Sequence, residues 1–155
     1  LLQAAELKCP VLEDIRAEIW LKAWGNLAFN PISALTHGTM AEIARFPLTR
    51  EFTIGLMTEA ARVAERLDIQ FRVPMEKRLA GAERVGEHRT SMLQDVLAGR
   101  PLEHEAILGA VIEMASLVEV DTPNLRALFA LCSLRNATCL AEARRRGELT
   151  DHDAA

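Results

Sequence analysis

The chain has 155 residues, of which 50% are hydrophobic and 26% are charged, and its formal net charge is −4. This size and composition predict one globular domain with a core of its own, and they exclude a disordered chain. The acidic balance argues against a nucleic-acid partner, and no apolar run approaches the about 18 residues that a membrane span requires.

Apolar residues recur at the helical period along almost the whole chain, and no segment shows the alternation of a strand ladder. Several helix starts carry a recognisable signal. Pro31 follows Asn30 as a first-turn proline, Thr39 and Glu42 form a capping box, and Thr122 precedes Pro123. These signals predict an irregular bundle with helices over 14–29, 31–35, 40–46, 49–67, 74–86, 91–97, 103–118 and 123–146.

Three boundary features complete this prediction. Thr49 is expected to cap the helix over 49–67, and Ser91 is expected to cap the short helix that Gly99 terminates. The segment 69–73 is expected to be extended. The polar stretch 148–155 is expected to be a frayed tail.

The cysteines and the first residues of the chain bear on the cellular compartment of the protein and on whether the chain is part of a longer protein. Cys132 and Cys139 lie seven residues apart on one predicted helix, so they are expected to share a buried face and not to form a disulfide. Together with Cys9 they make no disulfide framework, which favours a reducing cytoplasm. Leu1 is not an initiator methionine, no signal peptide follows, and we interpret the chain as a piece of a longer protein.

A polar stripe crosses the first predicted helix. Lys22, Asn26 and Asn30 are spaced by four, and each such step turns only about 40° around the helix axis. Buried among apolar neighbours, these groups need partners or a ligand, because unpaired polar groups are costly to desolvate. The alternative interpretation is an ordinary solvent-exposed face, and the spacing does not decide between the two.

A second polar cluster surrounds Ser91 and Glu103. Its ordinary interpretation is that Ser91 caps one helix and Glu103 lies in the first turn of the next. The same arrangement also suits a bound carboxylate.

Nucleotide and metal motifs are missing from the sequence. It contains no GxGxxG, no P-loop, no HExxH and no CxxC, and the histidines lack metal-ligand spacing. We therefore expect no metal site. His104 stands between Glu103 and Glu105, and we interpret it as a surface histidine beside two acids.

Two motifs resemble those of the ketopantoate reductase family. One runs from Ile15 to Leu35 and contains the polar stripe, and the other comprises the Ser-Met-Leu-Gln-Asp run from Ser91, then Gly99-Arg100 and Leu102-Glu103. The run from Val120 to Leu125 is also similar to the start of the last helix in that family. The resemblance extends over about 11–134.

The resemblance implies a helical C-terminal domain of the ketopantoate reductase and 6-phosphogluconate dehydrogenase-like type. Residues 1–12 would end an interdomain connection, and 13–155 would form the helical domain. Its own Rossmann domain, which is absent from this chain, would bind NADPH. The implied reaction is reduction of the 2-oxo acid ketopantoate to pantoate, on the route to pantothenate and coenzyme A. The isolated domain is then expected to be inactive and to self-associate, for example as a homodimer.

Site residues are carried over from the family as follows. Lys22 is the implied proton donor, Asn26 and Asn30 bind the substrate, Ser91 binds its carboxylate, and Glu103 reaches the cofactor side of the cleft. Lysine suits proton donation to an alkoxide, and amides offer a donor and an acceptor without adding charge.

Met40 departs from the family pattern. Relatives that act on ketopantoate can carry a further asparagine ten residues after the second amide of the stripe, and a count without gaps places Met40 at that position. A gap in the loop before Met40 would instead place Thr39 there. Two alternatives therefore stay open. One is the same hydride chemistry on a different 2-oxo acid, and the other is a non-catalytic helical module that dimerises or binds a partner.

Overall fold

The computed structural model describes residue 5 and residues 10–147, and these form an all-helical bundle. The predicted tail over 148–155, most of the predicted connection over 1–12 and Cys9 lie outside the described residues. The described helices are α1 (Ile15–Thr36), α2 (Met40–Arg45), α3 (Pro47–Arg66), α4 (Met75–Val85), α5 (Ser91–Leu97), a π-helical turn (Glu105–Gly109), α6 (Ala110–Leu117) and α7 (Pro123–Arg145). The predicted fold class is confirmed.

The central helix α1 contacts α2, α3, α5, α7 and the π-helical turn. It begins where the Asp14 carboxylate accepts a hydrogen bond from the Ala17 N–H at 3.0 Å. It ends at His37, whose left-handed backbone (φ 61°) closes the helix. The predicted break before Pro31 is wrong, because Pro31 lies inside this one continuous helix.

Trp24 fixes the orientation of α1. Its indole N–H donates to the Met57 carbonyl on α3 at 2.7 Å. Its ring stacks on Phe71, with centroids 4.1 Å apart. Phe71 thereby holds the segment between α3 and α4, which is non-helical and not part of a sheet, against the core. Since α1 turns its tryptophan face inward, its polar stripe faces away from the α3 side of the bundle.

The predicted capping box is present at the start of α2, shortly before the corner between α2 and α3. Thr39 accepts from the Glu42 N–H, and the Glu42 carboxylate accepts from the Thr39 N–H. The predicted cap at Thr49 is wrong, because α3 already begins at Pro47 after Phe46. The Thr49 hydroxyl instead donates to the Ile43 carbonyl of α2 at 2.8 Å, which fastens the two helices together.

The N-terminus of α7 is capped from another helix. Thr122 stands at the predicted start, but its hydroxyl is buried without a hydrogen-bond partner. The buried Glu59 carboxylate of α3 accepts from the Asn124 N–H at 2.9 Å, the Asn124 side-chain amide at 2.7 Å and the Leu125 N–H at 2.9 Å. A negative charge at this end of a helix is favourable, because the free N–H groups there carry partial positive charge.

Cys132 and Cys139 both lie buried in α7 and are free, as predicted. Burial raises the pKa of the Cys132 thiol to about 12. No described helix is both long enough and apolar enough to cross a membrane.

Candidate functional site

A groove of about 430 Å³ runs along the polar stripe of α1. One wall carries Lys22 and Asn26, and the facing wall consists of apolar side chains from the π-helical turn and α6, including Ile107, Val111 and Met114. The stripe thus places an ammonium and an amide side by side in a largely apolar groove. Such a groove can orient a small polar molecule, because the molecule can form hydrogen bonds with only a few polar groups of the groove.

Burial increases along the predicted stripe. Lys22 is exposed and Asn26 is partly buried, whereas Asn30 is only 6% exposed. The Asn30 side chain forms no hydrogen bond with any described residue. The interpretation of the whole stripe as a solvent-exposed face is therefore wrong at its Asn30 end. The amide atoms of Asn30 are not among the fully buried, unpartnered side-chain atoms of the described residues, so the amide still reaches solvent.

Ser91 and Glu103 lie outside the groove that contains Lys22 and Asn26. Ser91 is the first residue of α5, and Thr90 rather than Ser91 caps this helix by accepting from the Leu93 N–H at 3.2 Å. The predicted cap is thus wrong by one residue, and the Ser91 hydroxyl is exposed. Glu103 is also exposed and forms no ion pair with a described residue.

The wall opposite Lys22 includes the π-helical turn. The structure replaces the start of the predicted helix over 103–118 with this turn, in which the Ala110 N–H bonds the Glu105 carbonyl. A Cβ on Gly109 would lie 2.8 Å from the Glu105 carboxylate and 3.4 Å from Phe129, so glycine permits this close packing. Such turns are rare and frequently occur at functional sites.

His104 immediately precedes this turn. The interpretation as a surface histidine is wrong, because His104 is 4% exposed. Its Nδ1 lies 3.1 Å from the Leu102 carbonyl, and its ring centroid lies 5.5 Å from that of Phe129. The histidine therefore fastens the turn to the bundle. Periodicity could not reveal this, because its sequence neighbours are both acidic.

A second groove, of about 350 Å³, lies between α1 and α4. Asn26 also lines this groove, together with Gly25, Met40 and the cationic residues Lys77, Arg78 and Arg84. Sequence reasoning did not select Arg78, since a Glu-Lys-Arg run on a helix is typical of a solvated face. The two grooves meet at Asn26.

An ungapped count assigns Met40 to the position of the family asparagine. Met40 is partly buried, lines the second groove and packs against the core. The Thr39 hydroxyl lies 2.9 Å from the Glu42 carboxylate and caps α2. These bonds lower the pKa of Glu42 below its usual value, chiefly through the Thr39 backbone N–H. Thr39 therefore cannot replace the missing amide without losing its cap.

Among residue 5 and residues 10–147, no cluster of three or more His, Cys, Asp or Glu side chains could hold a metal ion. The side chains that line the two grooves supply two ammonium groups (Lys22 and Lys77), one amide (Asn26) and two guanidinium groups (Arg78 and Arg84), whereas Asn30 and Ser91 line neither groove.

The sequence profile described as "Ketopantoate reductase PanE/ApbA C terminal" matches residues 14–136. The chain belongs to the ketopantoate reductase family. The match includes all of α1 to α6 and the π-helical turn, and it therefore covers both grooves.

Individual members of the ketopantoate reductase family agree with this assignment. A 2-dehydropantoate 2-reductase of Mesorhizobium japonicum is 49% identical over 127 residues, which are 82% of this chain and 39% of that protein. The crystal structure of 2-dehydropantoate 2-reductase from Methylococcus capsulatus has a TM-score of 0.77 and 30% identity, covering 88% of this chain and 48% of that one. This chain thus spans less than half the length of these relatives.

A D-mandelate dehydrogenase, solved with NADH and anilino(oxo)acetate, shares the fold. Its TM-score is 0.78 at 23% identity, over 89% of this chain and 59% of that one. At this identity the likeness concerns the fold alone.

Proposed function

We propose that this chain is the helical domain, over 13–155, of an NADPH-dependent 2-dehydropantoate 2-reductase that reduces ketopantoate to pantoate. Residues 1–12 end the connection from an N-terminal Rossmann domain in this proposal. The observation that carries it is the shared groove of Lys22 and Asn26 in a chain of the ketopantoate reductase family. The free, buried cysteines accord with a cytoplasmic location.

Lys22 is the proposed proton donor. A bound nicotinamide cofactor would supply the hydride that reduces the ketone carbon, and negative charge would develop on the carbonyl oxygen of the substrate. The Lys22 ammonium stabilises that oxygen and transfers one N–H proton to it, which leaves a neutral amine and an alcohol. Lys22 forms no ion pair with a described residue, so its ammonium is available to a ligand.

Three further residues hold the substrate in this proposal. Asn26 lies in the groove beside Lys22, and the Asn30 side-chain amide forms no hydrogen bond with a described residue, so it is available to a ligand. Ser91 presents an exposed hydroxyl that can donate to the substrate carboxylate.

Glu103 is the proposed contact to the cofactor. Its exposed carboxylate has no ion-pair partner among the described residues, so it can accept hydrogen bonds from cofactor hydroxyl groups. Because no phosphate-binding motif occurs in this chain, the rest of the cofactor belongs to the Rossmann domain in this proposal.

The deciding experiment follows NADPH oxidation by the full-length protein with ketopantoate. We expect Lys22→Ala to lower kcat by about 10²- to 10⁴-fold, the usual contribution of a general acid. Arg62→Ala removes an exposed cation from α3, away from both grooves, and serves as the control. Undiminished turnover by the Lys22 variant would exclude lysine as the proton donor.

Met40 supports a second candidate, the reduction of a different 2-oxo acid. A thioether cannot bind a substrate hydroxyl as an amide does, and Thr39 is already engaged in capping α2. The Met40 side chain itself offers a substrate only an apolar contact, which favours a 2-oxo acid that lacks the hydroxyl. A folded full-length protein that binds NADPH but does not turn over ketopantoate would favour this candidate.

A substrate panel distinguishes the two candidates. Ketopantoate is compared with 2-oxo acids that lack the hydroxyl, in the wild type and in Met40→Asn. If the substrate is an apolar 2-oxo acid, the substitution shifts kcat/KM towards ketopantoate. If ketopantoate is the natural substrate of the wild type, kcat/KM for it already exceeds that for every apolar acid.

A further inference from the structure

Arg78 combines an unusual position with an unsatisfied charge. Its guanidinium lies directly against the backbone of α1 at Gly25, where a Cβ would lie 3.3 Å from Arg78 Cζ and would collide with Arg78 Nη2. The approach is possible because residue 25 has no side chain. The residue next to this contact is Asn26, which also lines the Lys22 groove.

The guanidinium has no partner within the described chain. Arg78 Nε is buried and forms no hydrogen bond, and no described carboxylate pairs with this side chain. Partly burying a charge without a partner is costly, because the protein interior solvates the charge less well than water does. An anion in the groove would offset that cost.

The surroundings of Arg78 add positive charge. Lys77 and Arg84 line the same groove, and none of the described residues that line it is acidic. Two acids lie on α4, Glu76 and Glu83, and neither lines the groove; the Glu83 carboxylate lies 3.9 Å from Arg50 Nε. Three cations around about 350 Å³ make this groove electropositive in a chain whose net charge is −4.

We propose that the groove between α1 and α4 is a binding site for an anionic oxygen group, a carboxylate or a phosphate, centred on Arg78. Guanidinium groups bind both anions through charge-assisted hydrogen bonds. The Asn26 amide can donate a further bond and connects the site to the Lys22 groove. The inference goes beyond the proposed reductase activity and does not rest on it, since binding at Arg78 needs no turnover.

The test is binding of inorganic phosphate and, separately, of pyruvate to this chain. Two-dimensional ¹H–¹⁵N NMR follows the backbone amides of Gly25 and Asn26 and the arginine Nε–H signals. Ionic strength is held constant with chloride, because screening alone moves signals near charges. We expect saturable shifts at these positions, with the larger affinity identifying phosphate or carboxylate as the preferred group.

Two variants and a control make the test specific to Arg78. Arg78→Gln is expected to lower the affinity by about tenfold or more, as loss of a charged hydrogen bond implies. Gly25→Ala keeps the arginine but displaces its guanidinium from α1, and it favours the helix, so it should fold and bind more weakly. Arg62→Gln, a cation outside both grooves, should retain wild-type affinity.

Several results would overturn the proposal. Absence of saturable shifts in the wild type with either anion would do so. So would equal affinities of the wild type and Arg78→Gln, or shifts centred on other arginines. If Arg78→Gln does not fold, Gly25→Ala decides the question, and wild-type affinity in that variant counts against Arg78.

Discussion

Replacing Glu59 by glutamine tests how α7 is held against α3. The Glu59 carboxylate accepts three hydrogen bonds from Asn124 and Leu125 at the start of α7, and it is 5% exposed. Glutamine keeps one carbonyl oxygen and replaces the other acceptor by an amide donor. At least one buried N–H then loses its partner, at about 1–3 kcal/mol, and up to about 2 kcal/mol of charge–dipole interaction is also lost.

We therefore expect Glu59→Gln to lower the free energy of unfolding by about 3 kcal/mol. At about 2–4 °C per kcal/mol for a chain of this size, Tm should fall by about 6–12 °C. Urea and thermal unfolding followed by circular dichroism measure both quantities. Glu65→Gln is the matched control on the exposed face of α3 and should stay within about 0.5 kcal/mol of the wild type. A Glu59 variant as stable as this control would refute the capping argument.

Four further predictions concern other parts of the chain. Because burial raises the pKa of Cys132 to about 12, alkylation at pH 8 should leave its peptide unmodified in the native chain and modify it after denaturation. The raised pKa of Cys132 also contributes to the free energy of unfolding. This contribution is fully present below the thiol's unfolded pKa of about 8.5 and is lost as the pH rises towards 12. Unfolding curves recorded at increasing pH measure the loss. The lowered pKa of Glu42 contributes to the free energy of unfolding above the unfolded pKa of this carboxyl group, and the contribution is lost as the pH falls. An NMR titration should show that the pKa of Glu42 is higher in Thr39→Ala than in the wild type. Ile15 and Ile19 are 55% and 60% exposed on α1, so sedimentation of the chain should show self-association that Ile19→Lys weakens.

Helix positions were predictable where a local signal and the packing agree. The capping box at Thr39 and the proline start at Pro123 rest on neighbouring residues, and the structure confirms both helix starts. The start of α3 and the cap of α7 were not predictable in the same way. Thr49 bonds a carbonyl of the preceding helix, and Glu59 reaches α7 from a position 65 residues away in sequence. Such partners are set by tertiary packing, which local patterns do not contain.

The two grooves differ in how far the sequence could predict them. Lys22 and Asn26 share a groove because residues four apart lie on one helix face, which spacing alone indicates. Arg78 could not be assigned in this way. Its significance depends on the absent Cβ of Gly25, on another helix, and on the lack of a carboxylate partner among the described residues.

Pro31 connects the error in helix prediction with the proposed site. Asn30 and Pro31 form a local start signal, and a helix-interior proline costs about 3 kcal/mol, so the sequence favoured a break there. The neighbouring Phe29 and Ile32 are 2% and 4% exposed, and burying two such side chains contributes about 3–6 kcal/mol, enough to offset that cost. The continuous helix keeps Asn30 in line with Lys22 and Asn26, about 12 Å apart from end to end at about 1.5 Å per residue. A break at Pro31 would allow Asn30 to leave the line of Lys22 and Asn26. The helix that continues through Pro31, against the usual preference of proline for a helix start, is therefore also the helix that aligns the proposed substrate-binding residues.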